Sequence, residues 1–89
     1  LYRAQFPEKQ YEAYSLGLAK GGCSEELQPN EAEEFGYVLQ GKVTLHYGDT
    51  SLTVKKGQTF YFKGDRTHYI SNDGETAARV IWISNPPSF

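Results

Sequence analysis

Few side chains here can do acid–base, nucleophilic or metal chemistry, and most of them crowd into one stretch. Glu25, Glu26, Glu31, Glu33 and Glu34 place five of the eleven acids within ten residues. There are two histidines, His46 and His68, and one cysteine, Cys23. A carboxylate and an imidazole brought into one cavity can hold a proton, orient a polar ligand or begin a metal site. His68 with Ser71 or Cys23 makes no recognisable triad, although triads are set by geometry and not by order. There is no glycine-rich phosphate loop and no nucleophile elbow. Cys23 has no second cysteine to pair with, and we assign it no role. The acidic run reads first as a solvated loop. Its sharper reading is a negative mouth that draws in a cationic effector such as a diamine.

The elements that must position these groups are short and alternating. Tyr11 to Ala19 alternates, with Tyr14, Leu16 and Leu18 on one side. Phe35 to Leu39 reads as a strand and ends at a Gln40-Gly41 turn. Lys42 to Tyr47 sets Val43, Leu45 and Tyr47 together, so His46 falls on the outward phase. Gly48-Asp49 signals a hairpin, and Ser51 to Val54 returns with Leu52 and Val54 in phase. Thr59 to Phe62, Thr67 to Ser71 and Ala77 to Ile83 complete the set, with Asn72-Asp73-Gly74 as a turn. Asn85-Pro86-Pro87 cannot extend a central strand. No stretch carries a helical period. Seven or eight short strands need hidden edges, which predicts an all-β class and a small antiparallel jelly-roll barrel whose inner face surrounds a cavity.

Composition sets the outer bounds. Eighty-nine residues make one domain, 1–89, which is marginal alone, so dimerisation is a natural support. The net charge of -2 offers no basic face for nucleic acid. No apolar run approaches the roughly 20 residues that span a bilayer, so no membrane partner is expected. A single free thiol fits a reducing cytoplasm. The chain opens at Leu1 and not at a methionine, from which we expect a piece of a longer protein.

Two spacings resemble the cupin family. Its first motif runs H-x-H, three or four residues, E, six residues, G; here Glu34 is followed by six residues and Gly41. Counting back by three puts Gln28 and Asn30 where the histidines would stand. Its second motif runs G, five residues, P-x-G, two residues, H, three residues, N; Gly57, His68 and Asn72 fit it, while Lys63 and Asp65 replace the proline and second glycine. The resemblance covers nearly the whole chain.

A closer resemblance is to the cupin domain that follows a helix-turn-helix in bacterial, XRE-like transcription regulators, and in particular to the putrescine-utilisation repressor group. Glu33-Glu34-Phe35-Gly36-Tyr37-Val38-Leu39-Gln40-Gly41, Ala78-Arg79-Val80-Ile81-Trp82 and Pro86-Pro87-Ser88-Phe89 carry it. That group commonly has a histidine three residues before the glutamate pair; here the residue is Asn30. The resemblance implies an N-terminal DNA-binding domain absent from this chain, DNA contact only through it, a homodimer and a small-molecule effector. Two amides, a carboxylate and an imidazole pointing into one cavity form a donor-and-acceptor array. This makes Gln28, Asn30, Glu34 and His68 a candidate ligand site, with an inward Trp82 as a flat wall or cation–π face. The structural alternatives are turn-capping amides and a Trp82 that packs the core.

A zinc or iron centre wants three protein ligands, and only Glu34 and His68 are firm ones. We therefore expect no cofactor and no catalytic residue, a divalent metal at Glu34 and His68 being the residual alternative. Two rivals stay open: a small metal-dependent cupin enzyme such as a dioxygenase or isomerase, and a structural dimerisation module. In the latter, Glu34 and His68 simply hydrogen-bond inside the core.

Overall fold

Residues 12–85 are described in a computed structural model of the chain. Tyr11 and the Pro86-Pro87-Ser88-Phe89 end lie outside the described residues, as do the side chains of Glu12 and Tyr14. Among the described residues, seven antiparallel strands form two facing sheets. They are β1 (Glu12–Leu18), β2 (Glu33–Gln40), β3 (Lys42–Tyr47), β4 (Thr50–Lys55), β5 (Thr59–Lys63), β6 (His68–Ser71) and β7 (Ala78–Asn85). One sheet has the order β1-β7-β2-β5 and the other β4-β3-β6. No helix occurs among the described residues, and so none is long and apolar enough to cross a membrane. This is the all-β architecture that the alternation predicts, with strand ends shifted by one or two residues.

Alternation decides which side chains face inward. In β2 the buried set is Glu34, Gly36 and Val38, while Glu33, Phe35, Tyr37 and Leu39 face out. Val38, Val43, Leu45, Ile70, Val80, Phe60, Phe62 and Trp82 fill the space between the sheets. Burying each such side chain contributes about 1.5–3 kcal/mol. Gly36 belongs to this packing: a β-carbon there would lie 2.1 Å from the Phe60 ring. Gly41 makes the β2–β3 turn at φ 73°, a conformation that favours glycine, and a β-carbon would meet the Ala77 carbonyl at 2.7 Å. The Gly48-Asp49 pair closes the β3–β4 hairpin, with Tyr47 opposite Thr50.

Three details depart from the sequence expectation. Leu52 pairs with Leu45 and is in phase with Val54, yet it is 56% exposed. It sits on the edge strand β4, where the inner face reaches its margin. His46 is outward as expected but only half exposed, stacked on Tyr69 with ring centroids 4.3 Å apart and within 2.8 Å of Ser71 Oγ. The segment 19–32, a loop by composition, runs along β6 as a substitute strand. Ser24 N donates to the Ile70 carbonyl at 2.8 Å, and Leu27 and His68 exchange backbone bonds at 2.9 and 3.0 Å. It covers an edge that would otherwise stay open.

Candidate functional site

Register brings the buried polar residues together. Glu34 on β2 lies opposite Ser84 on β7, and Trp82, two residues earlier on β7, shares the same inward face. His68 opens β6 on the other sheet. Glu34, His68 and Ser84 are each fully buried. A carboxylate out of water needs donors, and here the Trp82 indole N–H donates to Glu34 Oε1 at 2.7 Å. The Ser84 hydroxyl donates to the same oxygen. Ser84 is not among the residues expected at the site from sequence. A signal for it exists: a small polar residue on the inward phase of a strand whose other inward residues are Ala78, Val80 and Trp82.

His68 is fixed from its other side. Nδ1 lies 2.8 Å from the Arg66 carbonyl oxygen, which only accepts, so Nδ1 carries the proton. Phe62 meets the imidazole edge-on with centroids 4.9 Å apart, and Trp82 meets Phe62 at 6.2 Å. Nε2 then points to Glu34 Oε2 at 3.9 Å, beyond hydrogen-bond length. It is buried and has no hydrogen-bond partner among the described residues. In neutral His68 this nitrogen is an acceptor facing a carboxylate oxygen, also an acceptor. A group with a proton to give would suit Nε2.

Of the five residues expected to bind a ligand, Glu34, His68 and Trp82 come together. Gln28 is exposed on the 19–32 segment. Asn30 is held in a turn: its Oδ1 accepts from Ala32 N at 2.7 Å and its Nδ2 reaches the Gln28 carbonyl at 3.3 Å. Its backbone N–H donates to the Gly64 carbonyl at 2.6 Å, tying this segment to the β5–β6 loop. Of the acidic run, Glu25, Glu26, Glu31 and Glu33 are exposed and only Glu34 is buried. Asn72 is a separate buried polar centre. Its amide donates to the carbonyls of Leu18 at 3.0 Å and Thr76 at 2.9 Å, and its oxygen accepts from Gly74 N at 3.0 Å.

A cleft of about 400 Å³ opens where β1 separates from the segment beside β6. Leu16, Leu18, Leu27 and Tyr69 give it apolar walls, Glu25 stands at its rim, and Trp82 forms part of its lining. Trp82 thus belongs to the cleft lining while its N–H holds Glu34. The cleft residues Leu16, Leu27 and Tyr69 are not identified from sequence, because no local pattern marks the pairing of an irregular segment with β6.

The resemblance implies a metal, and the donor set does not fit a tight transition-metal site. Three or more protein donors are needed. Glu34 Oε1 already accepts two hydrogen bonds, the Asn30 amide is engaged in its turn, and Gln28 faces outward. Among the described residues, no three His, Cys, Asp or Glu side chains gather around one point.

Comparison with known proteins agrees with this architecture. The chain superimposes on the cupin domain of an XRE-family transcriptional regulator from Enterobacter cloacae at TM-score 0.79, with 24% identity over 88% of this chain and 83% of that one. An oxalate oxidase bound to the substrate analogue glycolate gives TM-score 0.75 and 23% identity over 85% of this chain and 42% of that one. A Thermus thermophilus protein gives TM-score 0.80 and 16% identity over 91% of this chain and 77% of that one. At these identities the likeness shows the fold alone, and it spans regulator and enzyme alike. An uncharacterised protein of Methanocaldococcus jannaschii is 32% identical over 56 residues, 63% of this chain and 45% of that protein's length, so the chain matches under half of that relative. Residues 15–84 match the family described as Cupin domain, and the chain belongs to that family.

Proposed function

We propose that this chain is a non-catalytic cupin domain that senses a small molecule for a transcription regulator. The observation that carries the reading is the buried Nε2 of His68, which has no hydrogen-bond partner among the described residues and lies 3.9 Å from Glu34, behind the tryptophan that lines the cleft. A buried polar atom without a partner costs about 1–3 kcal/mol, and a bound donor recovers it. The effector of this reading carries a protonated amine or a similar donor for Nε2, with an apolar body for Leu16, Leu27 and Tyr69. The exposed Glu25 at the rim would raise its local concentration. Effector binding would shift the equilibrium between two arrangements of a cytoplasmic homodimer, and with it DNA binding by an attached helix-turn-helix domain. The regulator setting rests on the motif resemblance and on the Enterobacter neighbour's fold.

The rival is a metal-dependent enzyme, as the oxalate oxidase neighbour suggests. Two measurements on the intact protein separate the readings. Metal analysis after purification without chelator should return sub-stoichiometric iron, nickel and manganese; one equivalent of any of them would support the enzyme. The Glu34→Ala/His68→Ala double variant should still bind operator DNA and lose its response to effector. A persistent response would place the ligand elsewhere.

A further inference from the structure

The loop between β5 and β6, residues 64–67, reaches the buried centre from the surface. Its ends are held by backbone: Gly64 N donates to the Ala32 carbonyl at 2.7 Å, and Gly48 N donates to the Thr67 carbonyl at 2.9 Å. Its middle is held by side chains. The Tyr47 hydroxyl donates to Asp65 Oδ1, and His68 Nδ1 donates to the Arg66 carbonyl at 2.8 Å. The bond to Asp65 pushes the Tyr47 hydroxyl above its ordinary pKa, which keeps it a donor at neutral pH. Tyr47 stands opposite His68 across β3 and β6. The Phe62 ring meets both, with centroids 5.2 Å from Tyr47 and 4.9 Å from His68. Asp65 occupies the place of the second glycine in the second cupin motif, so the acceptor for Tyr47 is a departure of this chain from that motif.

We infer that Tyr47 and Asp65 are positioning residues for His68. Their bond sets the Arg66 carbonyl against Nδ1 and so holds the imidazole in the tautomer that leaves Nε2 an acceptor. The two ring nitrogens of a neutral histidine share one proton, and the hydrogen bond each can make decides which keeps it. Nδ1 has the Arg66 carbonyl at 2.8 Å, while Nε2 has Glu34 Oε2 at 3.9 Å, too far to hold the proton there. If the middle of the loop loses its tether to Tyr47, the Arg66 carbonyl is free to withdraw. The proton then moves to Nε2, which donates to Glu34 once the pair closes by about 1 Å. A centre that takes a donor from outside becomes one that satisfies itself. An exposed carboxylate on the loop thus sets what the buried imidazole accepts. The consequence for a ligand rests on the sensing role proposed above; the tautomer does not.

Long-range proton–nitrogen NMR spectra of the intact protein read the tautomer directly, with His46→Gln assigning the two histidines. In the wild type, Nδ1 of His68 should carry the proton. Tyr47→Phe keeps the ring and Asp65→Ala acts at an exposed position, so both variants should fold. Each should shift the tautomer balance about tenfold toward Nε2–H, the effect of one hydrogen bond lost. Asp65→Asn keeps an acceptor oxygen for the hydroxyl and should retain the wild-type spectrum. A merely structural contact would lower stability in Tyr47→Phe and leave the His68 signals in place. That result would overturn the inference, as would a wild type protonated at Nε2 or an Asp65→Asn spectrum shifted as far as that of Asp65→Ala. Binding of a linear diamine separates the two readings. It should weaken about tenfold in Tyr47→Phe and Asp65→Ala, in step with the tautomer. A tautomer that follows Tyr47 in a protein that ignores the diamine sinks only the sensor, and diamine binding with an unmoved tautomer sinks only the positioning role.

Discussion

Among the described residues two polar centres are buried in this barrel, and they are built on opposite terms. Asn72 is saturated: both of its amide donors and its oxygen have backbone partners within 3.0 Å, joining the end of β1 to the turn before β7. The Glu34–His68 centre is not. Its carboxylate is well supplied through Trp82 and Ser84, while the imidazole nitrogen facing it has no hydrogen-bond partner among the described residues. Both residues answer to a cupin motif position, so motif membership does not separate their roles. Hydrogen-bond accounting does. A saturated polar centre holds the fold; one with an unmet donor or acceptor either strains it or waits for something.

Substitutions should separate the two centres, beginning with the largest effect. Asn72→Ala removes three hydrogen bonds and leaves the Leu18 carbonyl buried, so it should cost about 3 kcal/mol in denaturant unfolding. A cost under about 1 kcal/mol would erase the contrast. Trp82→Phe keeps most of the packing but takes one donor from a buried carboxylate, for an expected loss of about 2 kcal/mol. His68→Phe deletes the unpartnered nitrogen together with the bond to the Arg66 carbonyl. The gain and loss offset, leaving a loss of about 1 kcal/mol or less. Its larger consequence should be the disappearance of effector binding. Gln28→Ala, at an exposed position, should change stability by under about 0.5 kcal/mol. It should also leave effector affinity within twofold, a result that calorimetry would distinguish from a direct ligand contact.

Much of this molecule can be read from its residues. The strands follow from period-two alternation, and the phase of Val38 alone puts Glu34 on the inner side of β2. Turn chemistry locates Gly41, Gly48-Asp49 and the Asn72 turn. What escapes is non-local. Strand order joins β1 to β7 and β2 to both β7 and β5, pairings separated by tens of residues that leave no local trace. The 19–32 segment pairs with β6 without alternating, so neither its role nor the cleft beside it is visible in the sequence. Asn30 admits two readings from the sequence. The alignment puts it at a ligand position, while a short polar side chain followed two residues later by a free backbone N–H readily closes a turn. Leu52 shows that being in phase with the core does not bury a residue on an edge strand.

Trp82 offers the most direct test, because it is the only tryptophan and it touches both the cleft and Glu34. Its emission can be followed while the intact protein is titrated with a linear diamine and, separately, with the diol of the same length. If Glu34 and His68 form a recognition centre for a positively charged donor, the diamine should shift the emission saturably, the diol should not, and Glu34→Gln should abolish the shift. Equal responses to the two compounds, or a diamine response that survives Glu34→Gln, would contradict the account.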